Sequence, residues 1–506
     1  MKITLKKIFV TTIPLSLVWL FNTRALLMPL TPCSLFFWFT VLFTLAVYGA
    51  VFAYNDEADE YSDAFVNSGC IAIVITVIFL AIALVCSPVF SAKKYTKAFP
   101  PIETKTAKDI VPSVKNINNL ALVDTNTASV MGTKKLGGLG DKGSQLDIGS
   151  YTTICYKGKV AKVAPLEYGG LFEFNSLKNN GTPGYIVNDP VTGEAKLVKT
   201  EKGMKYMPSA FWSHDLMRHI YDYDPTLITG QAFFEISDDG TPYYVVATYT
   251  KTSVVFSNKV NGVVTVNAIT GKIHKYSTTN VPSWIETVYN GDFISNAYTN
   301  YGTLKRGFFN SIFSKKGCTM ITTTKDIKSG DDTINVPDYG YLSDGKDIWL
   351  YTGIKSARSG NSSTIGLLMV NGRTGKAYLA NTDGADEQSA MDAANGEMQQ
   401  YKYQASFPSL INLNNHLVYV MVMTDKNNIV KNYACVDSAD VSKVYAGDTV
   451  DDVINQYNAG KKQDIVVPAK TQDIKENATV ERTEINSKTI TLYFNDGTSQ
   501  TYDLAK

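Results

Sequence analysis

Two long uncharged apolar runs near the N-terminus constrain this chain more than any other feature of its sequence. Residues 34–54 read SLFFWFTVLFTLAVYGAVFAY and residues 69–90 read GCIAIVITVIFLAIALVCSPVF, with no charged side chain in either run. A helix needs about 20 residues to cross roughly 30 Å of hydrocarbon. Both runs are therefore predicted to span a membrane, and residues 1–91 are predicted to form a membrane anchor.

A third apolar segment, residues 8–30, decides the predicted topology. Pro14, Asn22 and Arg24 interrupt it, so it is either a third span or a helix that lies in the interface. No small-residue cleavage site follows it, which disfavours a cleaved signal peptide. With two spans, the positive-inside rule places every flanking lysine and arginine in the cytoplasm together with the large domain; with three spans, the rule gives no preference.

The large domain is expected on the outside of the plasma membrane. The short connection from Pro29 to Pro32 suits a helical hairpin, and the following chain is poor in charge and rich in Tyr, Thr, Asn and Gly. Charged residues make up 19% of the whole chain and its formal net charge is +1, so no extended positive field favours nucleic acid. The predicted partner is the membrane, with no nucleic acid.

A repeated segment marks the part that follows a predicted linker over residues 92–118. Residues 184–193 read GYIVNDPVTG, residues 262–271 read GVVTVNAITG and residues 366–375 read GLLMVNGRTG. The repeats share Gly at the first position, Asn or Asp at the sixth and Thr-Gly at the last two. The shared residues are Gly184, Asp189, Thr192, Gly193, Gly262, Asn267, Thr270, Gly271, Gly366, Asn371, Thr374 and Gly375. An apolar run, an Asx residue, Thr-Gly and a second run predict a β-hairpin in each case.

Helical patterns alternate with these hairpins. They are predicted over Pro208–Tyr221, over Pro282–Tyr289 with an end at Asn290-Gly291, over Glu387–Gln400, and from Thr449, paired with Asp452 as a capping box, to Gly460. The predicted fold class is α+β, with two or three transmembrane helices followed by antiparallel-sheet modules in series. The predicted regions are 119–300, 301–460 and a C-terminal extension, 461–506, with a hairpin. Unequal intervals between the repeats argue against a solenoid or propeller.

The hairpin-plus-helix unit resembles the PepSY class of bacterial envelope domains, whose members are associated with restraint of peptidases and with envelope sensing. A longer resemblance, from about Ser87 to Tyr457, is to a family of uncharacterised multi-pass membrane proteins of Gram-positive bacteria and their phages. It is carried by these segments: SPVFSAKKY, ALVDTNTASVMGTKKLGGLGD, VAPLEYGGLFEF, FFEISDDGTPYYVV, NVPSWIETVYNGD and SAMDAANGEMQQYKYQASFP. This resemblance implies an envelope setting and supplies no catalytic residues.

The search for chemical motifs yields no predicted catalytic, cofactor or metal site. His214 and His219 are five residues apart on a predicted helix, whereas helical metal sites use a spacing of four. The GxGxxG pattern at residues 138–143 follows TKKL instead of a strand, so a loop is the preferred interpretation. The Asp238-Asp239-Gly240 segment is explained by a hairpin turn. Cys155, Cys318 and Cys435 are interpreted as buried thiols.

The resulting prediction is a membrane-anchored cell-envelope protein whose soluble domain is a binding or scaffolding module for an envelope protein or peptide. The first alternative is an envelope sensor or peptidase-regulating module that adds a peptide strand to an open sheet edge. The second is an enzyme of unrecognised type, which would require a pocket where at least three polar side chains converge. The absence of a recognisable catalytic motif favours the non-enzymatic interpretation.

Overall fold

The computed structural model describes residues 2–55, 60–61, 63–112, 120–327, 333–337, 339–358, 363–462, 480–485, 489–494 and 499–503. Four helices lie at the N-terminus: α1 (Lys2–Arg24), α2 (Leu35–Ala53), α3 (Asp63–Cys86) and α4 (Pro88–Thr96). Two short strands, β1 (Tyr54–Asn55) and β2 (Glu60–Tyr61), lie between α2 and α3. α1 and α2 pack antiparallel through three side-chain hydrogen bonds: Thr12 to Tyr48, Trp19 to Thr44 and Asn22 to Thr40.

Most of the large apolar side chains that the structure leaves exposed belong to α1–α4; Leu17, Phe43 and Leu80 are examples. Within the part of the chain that the structure describes, no single helix is both long and apolar enough to cross a membrane. The segments Thr76–Cys86 and Pro88–Thr96, bent by 50° at the break between them, meet that criterion together.

The segment predicted as a linker also contains β3 (Ile102–Thr104) and α5 (Ala107–Ile110). The remainder of the domain consists of four successive units, and each has a helix followed by an antiparallel sheet. Unit 1 contains α6 (Thr125–Gly137), β4 (Leu146–Ile148), β5 (Thr152–Tyr156), β6 (Lys159–Tyr168), α7 (Leu171–Leu177), β7 (Thr182–Asn188) and β8 (Ala195–Met204). Unit 2 contains α8 (Leu216–Tyr223), β9 (Ile228–Ile236), β10 (Pro242–Ser253), β11 (Phe256–Asn267) and β12 (Ile273–Ser277).

Unit 3 contains α9 (Gly291–Leu304), β13 (Thr319–Ile321), β14 (Thr323–Ile327), β15 (Thr333–Pro337), β16 (Gly340–Ser343), β17 (Ile348–Ser356), β18 (Ser363–Asn371) and β19 (Ala377–Ala385). Unit 4 contains α10 (Glu387–Glu397), β20 (Gln404–Ala405), β21 (Ser409–Leu413), β22 (His416–Thr424), β23 (Val430–Asp437), β24 (Val444–Gly447) and α11 (Val450–Lys462). A separate three-stranded sheet, β25 (Val480–Ile485), β26 (Thr489–Phe494) and β27 (Ser499–Asp503), follows near the C-terminus. The mixed α+β class with several antiparallel sheets agrees with the sequence prediction.

Each sheet contains four strands in sequential order, and in units 1, 3 and 4 an earlier strand also pairs with the second of these four. The sheet of unit 1 has the order β4-β6-β7-β8 with β5 also on β6, and that of unit 2 has β12-β11-β10-β9. The sheet of unit 3 has β13-β17-β18-β19 with β16 also on β17, and β3 adds to its edge as a parallel partner of β19. The sheet of unit 4 has β20-β22-β23-β24 with β21 also on β22. The linker therefore contributes a strand to the domain.

The three repeats form the hairpins β7–β8, β11–β12 and β18–β19, all with one turn geometry. In the second repeat, the Asn267 carboxamide oxygen accepts the N–H groups of Ile269 at 3.0 Å and Thr270 at 2.8 Å, and Gly271 has φ of 73°. Asp189 and Asn371 make the corresponding pairs of bonds in the other two hairpins. The local Asx hydrogen bonds and the positive-φ glycine thus account for the shared sixth, ninth and tenth positions.

The first glycine of each repeat lies where the register of the sheet shifts. A Cβ atom at Gly184 would lie 2.0 Å from the Val198 carbonyl oxygen. At Gly262 it would lie 2.3 Å from the Tyr276 carbonyl, and at Gly366 it would lie 3.0 Å from that of Ala380. In all three repeats the partner strand brings a backbone oxygen into the space that a side chain would need.

Each hairpin turn also accepts a hydrogen bond from the segment that precedes the helix of its own unit. The carbonyl after the Asx residue is the acceptor: Pro190 accepts from Leu122 and Val123, Ala268 from Lys205 and Tyr206, and Gly372 from Tyr289. The helix then begins at an Asx N-cap. The caps are Asp124, Asp215, Asn290 and Asp386, and each accepts the N–H three residues later.

Unit 4 repeats this arrangement without the sequence signature. Asp437 accepts the Ala439 N–H at 2.9 Å, and the Ser438 carbonyl accepts the Ala385 N–H at 2.9 Å, directly before the cap of α10. The turn is one residue longer than in the other repeats. The Asp437 N–H donates to the Lys443 carbonyl, six residues later, whereas the Asn267 N–H donates to the Lys272 carbonyl, five residues later. The longer turn has no Thr-Gly pair, so the pattern shared by the other three repeats does not identify this fourth one.

Neighbouring units share their hydrophobic cores and are not separate domains in series. One core joins units 1 and 2, a second joins units 2 and 3, and a third joins units 3 and 4. A fourth core joins units 4 and 1, with Leu122 and Val191 packed against Val420 and Tyr457. The four units therefore contact one another in a closed cycle, which the unequal spacing of the repeats did not predict.

Two of the four predicted helices differ from the structure. Residues 282–289 are not helical, and Asn290-Gly291 begins α9 instead of ending a helix, because the Asn290 side chain caps the Phe293 N–H. Over residues 208–221, only a short 3-10 turn at Trp212–His214 and the first part of α8 are helical. The helices near Glu387 and Thr449 are confirmed, and Thr449 and Asp452 form the predicted capping box.

Candidate ligand-binding cavity

A cavity of about 320 Å³ lies where the four units meet. Its wall includes residues from every unit: Leu122, Asp124, Thr152 and Lys162 from unit 1, Gln231 and Phe233 from unit 2, Thr287, Asp292, Tyr339 and Tyr341 from unit 3, and Phe407 from unit 4. More than three polar side chains converge on this space. Such a site was not visible in the sequence, because the cyclic contact of the units brings together residues that are far apart in the chain.

Lys162 is the most unusual residue of the wall. It lies in β6, between the apolar residues Ala161 and Val163, and its side chain is only 7% exposed. No hydrogen bond or ion pair to the Lys162 ammonium is present within the described residues. Burial lowers the pKa of Lys162 to about 8, and the Asp124 carboxylate opposes part of this effect.

A second polar group of unit 1 is also left without a partner. The Thr152 hydroxyl oxygen is buried and has no hydrogen-bond partner in the structure. Buried polar groups are normally satisfied, because an unmade hydrogen bond costs about 1–3 kcal/mol. Lys162 and Thr152 both line the cavity, and each carries a polar group without a partner among the described residues.

Asp124 has a structural as well as an electrostatic role at the wall. Its carboxylate caps α6 by accepting the Thr127 N–H at 2.7 Å. The residue directly before the cap, Val123, is fixed by its bond to the Pro190 carbonyl in the first hairpin turn. The repeat thus fixes the start of α6, and the start of α6 places Asp124 near Lys162.

The opposite wall belongs to unit 3. Tyr339 donates a hydrogen bond to Asp292 at 3.4 Å, and the Tyr339 and Tyr341 rings meet edge to face at 5.8 Å. Burial raises the pKa of Tyr341 to about 12, so its hydroxyl is protonated at neutral pH and can donate a hydrogen bond. The wall therefore presents hydroxyl groups and one carboxylate.

A polar groove of about 450 Å³ adjoins the cavity and shares Gln231 and Asp292 with it. Its wall is rich in carboxamide side chains, namely Asn258, Asn290, Asn296 and Asn300, beside the Tyr249 ring. Carboxamides both donate and accept hydrogen bonds, which suits uncharged polar ligands.

A buried carboxyl pair holds the boundary between units 2 and 3 next to the cavity. The Glu235 carboxyl accepts the N–H groups of Glu286 at 2.8 Å and Thr287 at 3.0 Å, and Thr287 also lines the cavity. Glu286 accepts the Ile348 N–H at 2.8 Å through Oε2, while its buried Oε1 has no partner among the described residues. Burial raises the pKa of Glu235 to about 7 and that of Glu286 to about 9.

The twelve residues shared by the repeats lie in the hairpins and none of them is among the described residues of the cavity wall. His214 and His219 both contact the Tyr206 ring, and the His219 Nε2 atom hydrogen-bonds the Gly271 carbonyl at 2.7 Å. The GxGxxG segment follows α6 and enters a 3-10 turn at Gly140–Gln145. Within the described residues, no cluster of three or more His, Cys, Asp or Glu residues could hold a metal ion.

Other sequence assignments fall outside the cavity. Asp238 and Asp239 form the turn of the β9–β10 hairpin, where Asp239 accepts the Thr241 N–H at 3.0 Å. Cys318 and Cys435 are buried, whereas Cys155 is partly exposed, so the interpretation of Cys155 as a buried thiol is wrong.

Sequence reasoning missed every polar residue of the cavity. One available signal was Lys162, the single charge within the apolar run VAKVAPL of β6. A lysine in the middle of a strand that is buried on both faces is rare unless it is paired or functional. Asp124, Asp292 and Tyr339 carry no comparable signal, because each lies at an ordinary helix or strand terminus.

Comparison with known proteins gives no family assignment. No family model and no curated protein matches the chain. An ACO/RPE65 chimera matches with 10% identity, 63% of this chain and 65% of the other covered, and a TM-score of 0.19. The exo-beta-1,3-galactanase 1,3Gal43A from Clostridium thermocellum matches with 9% identity, 72% of both chains covered and a TM-score of 0.19. The polysaccharide lyase Uly1 matches with 10% identity, 71% and 77% covered, and a TM-score of 0.16.

Proposed function

We propose that this chain is a membrane-anchored binding protein of the cell envelope that holds a small polar ligand in the cavity between its four units. The observation that carries the proposal is the buried Lys162 ammonium, which lines the cavity without a partner among the described residues. Asp124, Thr152 and Asp292 also line this cavity. The arrangement suits an anionic or zwitterionic ligand about the size of an amino acid, with its acidic group at Lys162.

Binding is favoured over catalysis by the kinds of residue present. The described wall of the cavity includes no histidine, cysteine or serine, so Ser-His and Cys-His nucleophile pairs are missing from it. Addition of a peptide strand to a sheet edge is supported less well. The outer strand β8 carries exposed Lys196, Lys199 and Lys202, and lysines on an edge strand discourage pairing with another chain.

The exposed apolar faces of α1–α3 support the membrane anchor, because water disfavours large exposed apolar patches. α1 is as long as its antiparallel partner α2 and hydrogen-bonds it over residues 12–22, which favours a third span over a helix in the interface. The resemblance to PepSY modules adds weight to an envelope setting, since each unit also combines a helix with an antiparallel sheet.

Contacts between the helices and unit 2 support an extracytoplasmic domain. The connection after α1 donates from the Leu30 N–H to the Pro225 carbonyl at 2.8 Å, and Ser253 donates to the Cys86 carbonyl at the end of α3 at 2.7 Å. The ends of α1 and α3 therefore face the domain, and the start of α1 faces away from it. Three spans place the domain on the side opposite the start of α1, and we propose that this start is cytoplasmic and the domain is outside.

The test is ligand binding by the purified full-length chain in detergent. Thermal unfolding would be followed with amino acids, small carboxylates and acidic sugars, and native mass spectrometry would identify small molecules that copurify. Lys162→Met should abolish the ligand-induced shift, whereas Lys159→Met, three residues earlier in β6 and exposed, should preserve it. Equal shifts in both variants, or no bound compound by either method, would overturn the proposal.

A further inference from the structure

The segment over residues 305–316, reading KRGFFNSIFSKK, presents an exposed apolar ridge after α9. Asn310–Ser314 forms a π-helical turn, which brings the Phe309 and Phe313 rings into parallel stacking at 6.4 Å. Phe309 is 63% exposed and Phe313 is 80% exposed, and Ile312 between them is also exposed. Phe309 contacts the rings of Phe308 and Phe313, but most of the surface of Phe309 and Phe313 stays exposed.

The ridge is fixed to the end of the N-terminal helices. Phe308 packs with Ala92 and Tyr95 of α4 and with Leu304 of α9. α4 follows α3 directly, and Phe90 at its start is 66% exposed. The ridge is therefore continuous with the exposed apolar face of the helices that we propose to span the membrane.

The two chain segments that form the ridge and α4 contain basic residues and no acidic residue. Residues 87–101 and 301–324 contain Lys93, Lys94, Lys97, Lys305, Arg306, Lys315 and Lys316, but no Asp or Glu. All of these cations except Lys315 are exposed, and none forms a salt bridge within the described residues. The whole chain has a net charge of only +1, so this local excess of positive charge is a property of one surface.

A pocket of about 510 Å³ lies between α4 and the ridge. Its wall combines the apolar residues Phe90, Phe308 and Phe309 with the cations Lys93, Lys94 and Arg306. Phosphate groups bind to converging lysine and arginine side chains, and acyl chains pack on aromatic rings. The combination of chemistries matches a single anionic phospholipid.

We propose that the ridge and α4 form a second membrane contact, which binds an anionic phospholipid of the leaflet from which α3 emerges. The headgroup phosphate lies on Lys93, Lys94 and Arg306, and the acyl chains cover Phe309 and Phe313. Aromatic and basic side chains together are the usual composition of interfacial anchors. The inference rests on the proposed membrane anchor and assigns a lipid class to one of its surfaces.

The experiment compares the full-length chain with two charge-matched triple variants after purification from a membrane that contains phosphatidylglycerol. The test variant is Lys93→Gln with Lys94→Gln and Arg306→Gln; the control is Lys196→Gln with Lys199→Gln and Lys202→Gln on the exposed edge of β8. Native mass spectrometry would count the phosphatidylglycerol and phosphatidylethanolamine molecules retained. We expect the test variant to lose at least fivefold in retained phosphatidylglycerol and the control to equal the wild type.

Equal phosphatidylglycerol retention in the two triple variants, or equal retention of both lipids by the wild type, would overturn the inference. A second probe is a nitrobenzoxadiazole label on Phe313→Cys, which should be quenched by spin-labelled lipid, whereas the same label on the exposed Phe172→Cys of unit 1 should not be. The proposed anchor is tested separately by fractionation. If the wild type leaves the membrane in carbonate the anchor fails, whereas an anchored protein without lipid selectivity refutes only this inference.

Discussion

Glu286 gives the sharpest test of the packing between units 2 and 3. Burial raises its pKa from 4.5 to about 9, with further repulsion from Glu235 and Asp347 and partial relief from Arg373. In the unfolded chain the carboxyl ionises near pH 4.5, but in the folded protein it stays protonated up to about pH 9. The folded state therefore binds one more proton between these values, and its stability falls as the pH rises through them.

The magnitude follows from the proton linkage. Each pH unit between the two pKa values costs about 1.4 kcal/mol, so the carboxyl destabilises the fold by about 3 kcal/mol at pH 7 relative to pH 4.5. Glu286→Gln should remove this cost, because a carboxamide keeps the carbonyl oxygen that accepts the Ile348 N–H and has no acidic proton to lose. The variant should match the wild type near pH 5 and exceed its stability increasingly towards pH 8.

The assay is urea unfolding of the detergent-solubilised full-length chain, followed by tryptophan fluorescence at several pH values between 5 and 8. Glu235, whose pKa is also raised by burial, titrates in both the wild type and Glu286→Gln. The difference between their free energies of unfolding therefore reports on Glu286. Glu201→Gln, at an exposed position of β8, is the control and should follow the wild type throughout. A constant difference between Glu286→Gln and the wild type over this range would refute the assignment of a buried protonated carboxyl.

Three further predictions concern the repeat, the cavity and the sidedness of the domain. Gly184→Ala should destabilise the protein by about 3 kcal/mol, because the new Cβ atom would overlap the Val198 carbonyl at a φ of 152°. Gly396→Ala, in open space on α10, should stabilise the protein by about 0.5–1 kcal/mol. Urea unfolding measures both free energies, and equal effects would contradict the role of Gly184 at the register shift. Lys162→Met should stabilise the ligand-free protein at pH 7, because burial lowers the pKa of the lysine from 10.5 to about 8. In the wild type, ligand affinity measured by calorimetry should fall as the pH rises through about 8. An affinity that is constant to pH 9 would exclude Lys162 as the cation that binds the ligand. A cysteine in place of exposed Lys202 should react with an impermeant maleimide in intact cells, above the labelling of the native chain; labelling only after lysis would place the domain in the cytoplasm.

The sequence predicted the parts of this protein that depend on local chemistry. Asx residues followed by Thr-Gly identified three hairpins, and the capping box at Thr449 identified α11, because these hydrogen bonds join residues only a few positions apart. The same local rules misassigned Asn290-Gly291 as a helix end, since Asn serves both as an N-cap and near a C-terminus. The bond between the Tyr289 N–H and the distant Gly372 carbonyl fixes the chain just before the start of α9.

The sequence by itself determined the apolar N-terminal helices, the α+β class and the repeated turn, because periodicity and short-range hydrogen bonding are written in consecutive residues. The tertiary structure alone decided that the four units close on one another, that Asp437 begins a fourth degenerate turn, and that Lys162, Asp124 and Asp292 face one cavity. The closure of the four units depends on contacts between residues far apart in the chain, such as Leu122 and Val420. The free energy of such contacts comes from shared burial between units, and no pattern in a single stretch of sequence records it.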